Sequence, residues 1–331
     1  MARALRESGL YVTGTSDAEL AALPGELADA CRHWRVYHKQ ATAFGRTWLE
    51  RVQEGRVYPE WRQLGAEATG RMSCRDPNLQ QLPRAGQYRH CVTAAPGCVL
   101  IAADYSQIEL RIAALVARDP AMLRAYQQGD DLHTLSARSL FGREKVSKDD
   151  RQIAKSANFG LLYGMGAAGL QAYSAATYGV ELTLEQATEL RQKWLGVYSG
   201  IQRWHREAHG RLQNSPSGVE VRTLAGRRRT DVRSYTQVLN TPVQGLGADG
   251  LKAALGLLWA TREAHGGERW RPALLCHDEI VIEAPAEEAE AAGAWLRECM
   301  VAGMQPLLRH QGLEVPCEVE VSTGDSWGAC K

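Results

Sequence analysis

The sequence predicts an α+β domain, with an antiparallel sheet and a large helical insertion between two of its strands. Three observations carry this. Short apolar runs end in aspartate at Asp104 and again lead into Asp278. The long stretch between them reads mostly as helix. Strands and helices are mixed rather than regularly alternating, which disfavours a doubly wound parallel sheet.

Taken in order, residues 17–55 are helix-rich, opened by Asp17 and Ala18 and carrying Leu20, Leu23 and Leu27, then Trp34, Tyr37 and His38. From Gly65 to Gly86 a Gly-rich polar stretch, including TGRMSCRDPNLQQLPR, has the composition of a loop. Cys98 to Ala103 is a continuous apolar run, a buried strand ending at Asp104. Helical pattern covers Gln107 to Leu123, where Ile108, Ile112 and Leu115 recur about one turn apart. A further helix over 148–165 starts near Ser147, and helical pattern returns over 183–213. The segment NSPSGVEVRTLAGRRR reads as a turn and a short strand pair, and residues 240–264 as a helix after Pro242. Ala273 to Cys276 and Ile280 to Glu283 are the arms of a hairpin around His277 and Asp278. A helix over 286–309 and a strand from Glu314 to Val321 close the chain.

Composition excludes more than it assigns. The 331 residues carry a formal net charge of +1, so bulk charge gives no argument for a nucleic-acid partner, and any electrostatic case is local. One local cluster stands out: Arg222, Arg227, Arg228, Arg229 and Arg233 against a lone Asp231. The eight cysteines form no CxxC pair or metal-ligand spacing, which suits reduced thiols. No apolar run approaches the roughly 20 residues of a membrane span, and MARALRESGLYV has no apolar signal core. A soluble, cytoplasmic protein is expected.

Three strings carry chemistry: DYSQIELR from Asp104, RQIAKSANFGLLYG from Arg151, and HDEIVIE from His277. Asp104 and Asp278 each sit at the end of a buried strand, where a rigid backbone can present a carboxylate to a cleft. Magnesium is a hard ion that takes one or two such carboxylates together with phosphate oxygens. Arg151, Lys155, Phe159 and Tyr163 recur every four residues. Each step drifts by only about 40° on a helix, so the four form one slanting stripe. Cations at one end and rings at the other suit neither a core face nor a solvent face. They suit a triphosphate followed by a stacked base or sugar. This is equipment for joining a nucleoside triphosphate to a nucleic-acid 3′ end with two metal ions.

In order and in detail, the three strings resemble the polymerase motifs of family A DNA polymerases. The similarity runs from about residue 60 to the C-terminus. It implies a right-hand fold: residues 1–60 a residual thumb, 61–128 the first part of the palm, 129–229 the fingers and 230–331 the second part of the palm. It implies Asp104, Asp278 and the Tyr105 carbonyl as ligands of two Mg2+ ions, which Mn2+ can replace, with Glu279 a supporting acid. Lys155 would join the aspartates as a catalytic group, protonating pyrophosphate. Arg151, Lys155, Phe159, Tyr163, His133, Glu109 and Gln107 would contact the deoxynucleotide. Glu109 would crowd the sugar 2′ position, and Phe159 would disfavour dideoxynucleotides. Arg71, Asn78, Gln80, Asn240, Gln244 and His277 match DNA-contact strings. From the arginine cluster, Arg227 and Arg228 are expected to contact phosphate, the alternative being a solvated surface turn.

The expected activity is therefore template-directed addition of deoxynucleotides to a primer by a monomer, with template–primer DNA and deoxynucleoside triphosphates as partners. Departures from the family pattern are a shortened Gly226 to Asn240 segment, Gln81 for a usual asparagine and Leu246 for a usual threonine. The short N-terminal region leads to an expectation of no proofreading or 5′ nuclease region, weak DNA binding and low processivity. Two alternatives stay open: a catalytically weak DNA-binding accessory protein that needs a partner, and a polymerase that also accepts RNA templates.

Overall fold

The computed structural model describes residues 1–12, 14–15, 19–20, 23, 25–66, 68–84 and 87–330. Asp17, Ala18 and Gly86, named above, lie outside the described residues. The chain forms two compact units, Met1–Glu60 with Cys74–Leu82, and Trp61–Ser73 with Pro83–Lys331.

The smaller unit is built on a helix over Glu26–Phe44, a short helix over Arg46–Leu49 and a hairpin pairing Val52 with Val57. Its small buried cluster is Leu5, Val12 and Leu20. Asn78 accepts a bond from Gln80 N at 3.1 Å and so starts the single turn Leu79–Gln81. The stretch expected to be loop from Gly65 to Gly86 therefore contains this turn and the strand Arg71–Arg75. Its polar composition hid a strand because the strand is largely half-buried rather than apolar.

The larger unit holds a four-stranded antiparallel sheet: β1 (Cys98–Tyr105), β2 (Arg271–Cys276), β3 (Glu279–Pro285) and β4 (Val319–Gly324), in the order β4-β1-β3-β2. Strands far apart in sequence thus become neighbours, as the α+β reading requires. Between β1 and β2 lie α1 (Ile108–Val116), α2 (Pro120–Gln128), α3 (Leu132–Phe141), α4 (Lys148–Leu162), α5 (Ala167–Tyr178), α6 (Leu184–Val197), α7 (Ser199–Asn214) and α8 (Tyr235–Thr261). A short hairpin over Val219–Arg222 and Arg228–Val232 precedes α8. The helix α9 (Ala289–Met304) packs on β1 and β4 and crosses α8 closely. At that crossing a Cβ on Gly303 would lie 2.5 Å from Ala254 N, so only glycine fits. One continuous apolar core joins the sheet to the helical insertion, from Ile101 and Ile282 through Leu110 and Leu115 to Leu161 and Trp194.

Several expected boundaries move. The helix over Gln107 to Leu123 is two, because Asp119 caps a new helix through Ala121 N and Met122 N with Pro120 at its first position. The pattern over 183–213 breaks at Tyr198 into α6 and α7, and α3 and α5 are helices where none is expected from sequence. Helix α8 begins at Tyr235 and carries Pro242 inside it rather than before it, where Pro242 is buried with Leu239, Val243 and Leu246. The last helix is trimmed to Ala289–Met304 by flanking single turns. The last strand is replaced by a pair of strands, Leu313–Glu314 and β4, separated at Pro316, whose missing N–H ends a ladder.

Candidate active site

Strand register brings both aspartate positions to one end of the sheet. Asp104 pairs with Glu279 across β1 and β3, and Tyr105 N donates to Asp278 O at 3.4 Å. A two-residue turn, His277–Asp278, joins β2 to β3, with His277 in the left-handed region at φ 62°. Both carboxylates thus reach the same end of the sheet. Asp278 is pushed up to about 6, first by burial; its backbone hydrogen bond and Arg71 and Arg84 oppose this, and Glu109 adds to it. His277 is shifted down by burial and by Arg71, Arg84 and Arg89. The Tyr105 ring is buried, and its hydroxyl donates to Met300 O at 2.8 Å, which fixes the end of β1 on α9.

Glu279 faces inward. Trp327 Nε1 donates to its Oε1 at 2.6 Å, and Arg89 Nη1 lies 3.6 Å from its Oε2. The Arg89 guanidinium stacks on Trp327, 3.8 Å from the ring centroid. Sequence reading missed Arg89 and Trp327. No local pattern marks them, since their role comes from tertiary contact with the hairpin.

Glu109, in the first turn of α1, joins the sheet to the helical insertion. Arg71 Nη2 donates to Oε1 at 2.6 Å, and the Tyr163 hydroxyl donates to Oε2 at 2.6 Å. The Gln244 side chain also bonds to Tyr163, so four expected site residues form one network. Burial, then Glu109, raises the Tyr163 phenol well above its usual range. Gly164 follows with φ 80°, and a Cβ there would stand 2.3 Å from Tyr235.

A capping box at Ser147 and Asp150 starts α4 where the sequence placed it. Arg151 is exposed, Lys155 and Phe159 are half-buried, and Tyr163 falls at the C-terminal cap rather than within the helix. The face carrying Ala154, Ala157 and Leu161 is buried. His133, on α3, sits 5.6 Å from the Phe159 ring. Asn158 Oδ1 accepts from Ser136 Oγ at 2.9 Å and Trp194 Nε1 at 2.7 Å, which orients its amide. Its Nδ2 then donates to His133 Nδ1 at 2.9 Å, so the neutral imidazole carries its proton on Nε2. Burial first, then Arg151 and Lys155 against Asp131, brings His133 down to about 4.

The remaining expected residues divide. Gln107, in the left-handed region at φ 53°, takes a bond from Tyr126 Oη at 3.3 Å and donates to Asp131 at 3.4 Å. Asn240 keeps a buried Oδ1 with no hydrogen-bond partner among the described residues. Arg227 is half-buried, pairs with Asp249 and lies against Gly70. Arg228 is exposed and 3.7 Å from Glu220. Of the rest of the arginine cluster, Arg229 donates to Thr241 Oγ1 and Arg233 to Ser217 O. Asn78 and Gln80 belong to the smaller unit.

Among the described residues no group of three or more His, Cys, Asp or Glu gathers as a cage for a metal. The donor set at the sheet end, Asp104 and Asp278, instead suits ions that share their ligation with substrate phosphates. A buried carboxylate raised as Asp278 is fits the same use, because a cation there restores its charged form. All eight cysteines are free thiols, and no helix among the described residues is long and apolar enough to cross a membrane.

An α+β fold whose antiparallel sheet carries two carboxylates at one end, with a helix bearing cations and rings, suits a polymerase domain. The profile of DNA polymerase family A matches residues 5–329, further toward the N-terminus than the motifs reach, and the chain belongs to that family. It is 39% identical to DNA polymerase I of Aquifex aeolicus over 280 residues, 84% of this chain and 47% of that protein. It is 37% identical to the thermostable DNA polymerase I of Thermus aquaticus over 294 residues, 84% of this chain and 33% of that protein. The fold is similar to the POL domain of Pol1 from M. smegmatis in complex with DNA primer-template and dNTP. The TM-score is 0.75 at 29% identity, covering 97% of this chain and 57% of that one. The chain thus spans about half or less of the length of these curated relatives.

Proposed function

We propose that the chain is a template-directed DNA polymerase that adds deoxynucleotides to a primer 3′ end. Asp104 and Asp278 are its catalytic aspartates. The observation that carries the reading is the register of β1 on β3, which brings Asp104 and the His277–Asp278 turn to one end of the sheet. Residues 61–128 and 230–331 serve as palm, 129–229 as fingers and 1–60 as thumb remnant.

Two Mg2+ ions, replaceable by Mn2+, would be held by Asp104, Asp278 and the Tyr105 carbonyl, and would supply an activated primer 3′ oxygen and charge neutralisation on pyrophosphate. The chain's own residues do the rest. Arg151, Lys155 and the Nε2–H of His133 bind the triphosphate. Lys155 gives its proton to the leaving pyrophosphate. Phe159 and Tyr163 stack on the sugar and base. Glu109, held by Arg71 and Tyr163, occupies the space a 2′ hydroxyl needs, so deoxynucleotides are preferred. Arg71, Gln244, Asn240 and His277, with Asn78, Gln80, Arg227 and Arg228, contact template and primer. The unpaired buried Oδ1 of Asn240 supports a polar partner there.

Single-nucleotide primer extension with magnesium tests this, offering each deoxynucleotide and ribonucleotide in turn. Template-directed deoxynucleotide addition is expected, falling by at least about a thousandfold in Asp104→Asn and Asp278→Asn. No addition by the intact chain with magnesium or manganese overturns the reading.

A further inference from the structure

Asp131 is a carboxylate set among the cations of the triphosphate site, and no role in the chemistry above uses it. It lies at the N-cap of α3, two residues before His133. Thr134 holds it twice, through N at 3.1 Å and Oγ1 at 2.6 Å, both to Oδ2. The carboxylate is therefore fixed by the helix terminus rather than free to swing. Against this fixed group lies Arg151: Nε donates to Oδ2 at 2.8 Å and Nη2 to Oδ1 at 3.2 Å. Gln107 Nε2 adds a longer contact to Oδ1 at 3.4 Å.

This is side-on engagement of the guanidinium. It uses the Nε edge and leaves the Nη1 hydrogens pointing away. Arg151 keeps 45% of its side chain exposed, so a ligand can reach it while Asp131 holds its Nε side. A long arginine without such a brace samples many rotamers, and a phosphate must then order it on binding. Braced by Asp131, the guanidinium is ordered before the nucleotide arrives. Gln107 follows the Asp104–Tyr105 strand end by two residues and links the same carboxylate to the sheet end.

We propose that Asp131 is a positioning residue that pre-orients Arg151 for the nucleotide triphosphate, acting through the Nε edge while Nη1 meets phosphate. It is not a competing anion that triphosphate must expel. This rests on the polymerase reading above.

The test compares Asp131→Asn with the intact chain in single-nucleotide incorporation on a primer-template. Asparagine keeps the N-cap acceptor and the shape but removes the charge. KM for the deoxynucleotide is expected to rise about tenfold with kcat changed less than about twofold, the size of one charge-assisted contact. In an Arg151→Ala background the same substitution is expected to leave KM unchanged, since its effect passes through Arg151. A structural role would not vanish in that background. An unchanged or lowered KM in Asp131→Asn, or an equal rise in both backgrounds, overturns the proposal. If Asp131→Asn does not fold, Asp131→Ser, which also caps a helix, is read by the same criteria. Loss of incorporation by the intact chain strikes the polymerase reading itself, whereas normal incorporation with an unmoved KM in the variant strikes this inference alone.

Discussion

Removing Arg89 isolates a buried charge beneath the β2–β3 hairpin. Arg89 and Glu279 side chains are 4% and 3% exposed, and they approach to 3.6 Å. At that distance the contact is one of charge rather than a hydrogen bond. Arg89→Met keeps much of the apolar contact with Trp327 but leaves the Glu279 carboxylate buried without its cation. Breaking such a pair from one side costs about 3–5 kcal/mol. Loss of the desolvated cation–π contact at 3.8 Å adds about 2 kcal/mol. Changing Glu279 to glutamine as well removes the stranded charge while its amide oxygen still accepts from Trp327 Nε1. The double variant Arg89→Met, Glu279→Gln is therefore expected to recover at least about 2 kcal/mol relative to Arg89→Met alone. Urea unfolding followed by far-UV circular dichroism reads both differences. A loss below about 1 kcal/mol in the single variant, the range of an exposed ion pair, refutes the reasoning, as does no recovery in the double.

Other outcomes follow from the same geometry. His133 is held near pH 4 in the folded chain against an ordinary 6.5, so the unfolded chain binds more protons between those values. The contribution of neutral His133 to stability is full above about pH 6.5 and falls by about 3 kcal/mol as pH drops to 4, a slope that His133→Gln should flatten in pH-resolved thermal unfolding. Glu109→Ala removes the acceptor shared by Arg71 and Tyr163 and opens the sugar 2′ position; the ratio of ribonucleotide to deoxynucleotide incorporation is expected to rise at least about tenfold. Gly164→Ala forces a side chain into the left-handed region and within 2.3 Å of Tyr235. A loss of more than about 1 kcal/mol in calorimetric stability is expected, and a neutral change would mean that Tyr235 swings aside without cost.

What the sequence made legible follows from what each signal depends on. Asp104, Asp278 and the helix carrying Arg151, Lys155 and Phe159 were readable because each rests on a local rule, an apolar run ending in a turn residue or a fourfold spacing, although Tyr163 falls just past the helix end. The capping box at Ser147 was readable for the same reason. The break at Asp119 was missed although its Asp-Pro signature was present, because apolar residues recur at helical spacing on both sides of it, Ile112 and Leu115 before and Met122 and Leu123 after. Strand Arg71–Arg75 was missed because a half-buried strand carries polar side chains that also suit a loop. Asp131, Asn158, Arg89 and Trp327 belong to a different class. Asn158 sits in the middle of the legible helix, yet its task of fixing the His133 tautomer depends on Ser136 and Trp194, which other helices bring to it. Arg89 is an ordinary basic residue in sequence and becomes a buried counter-ion only once Glu279 and Trp327 close over it. The groups proposed to touch substrate are thus marked by short-range pattern, while the groups that hold them still are set by packing, and local pattern did not reveal them.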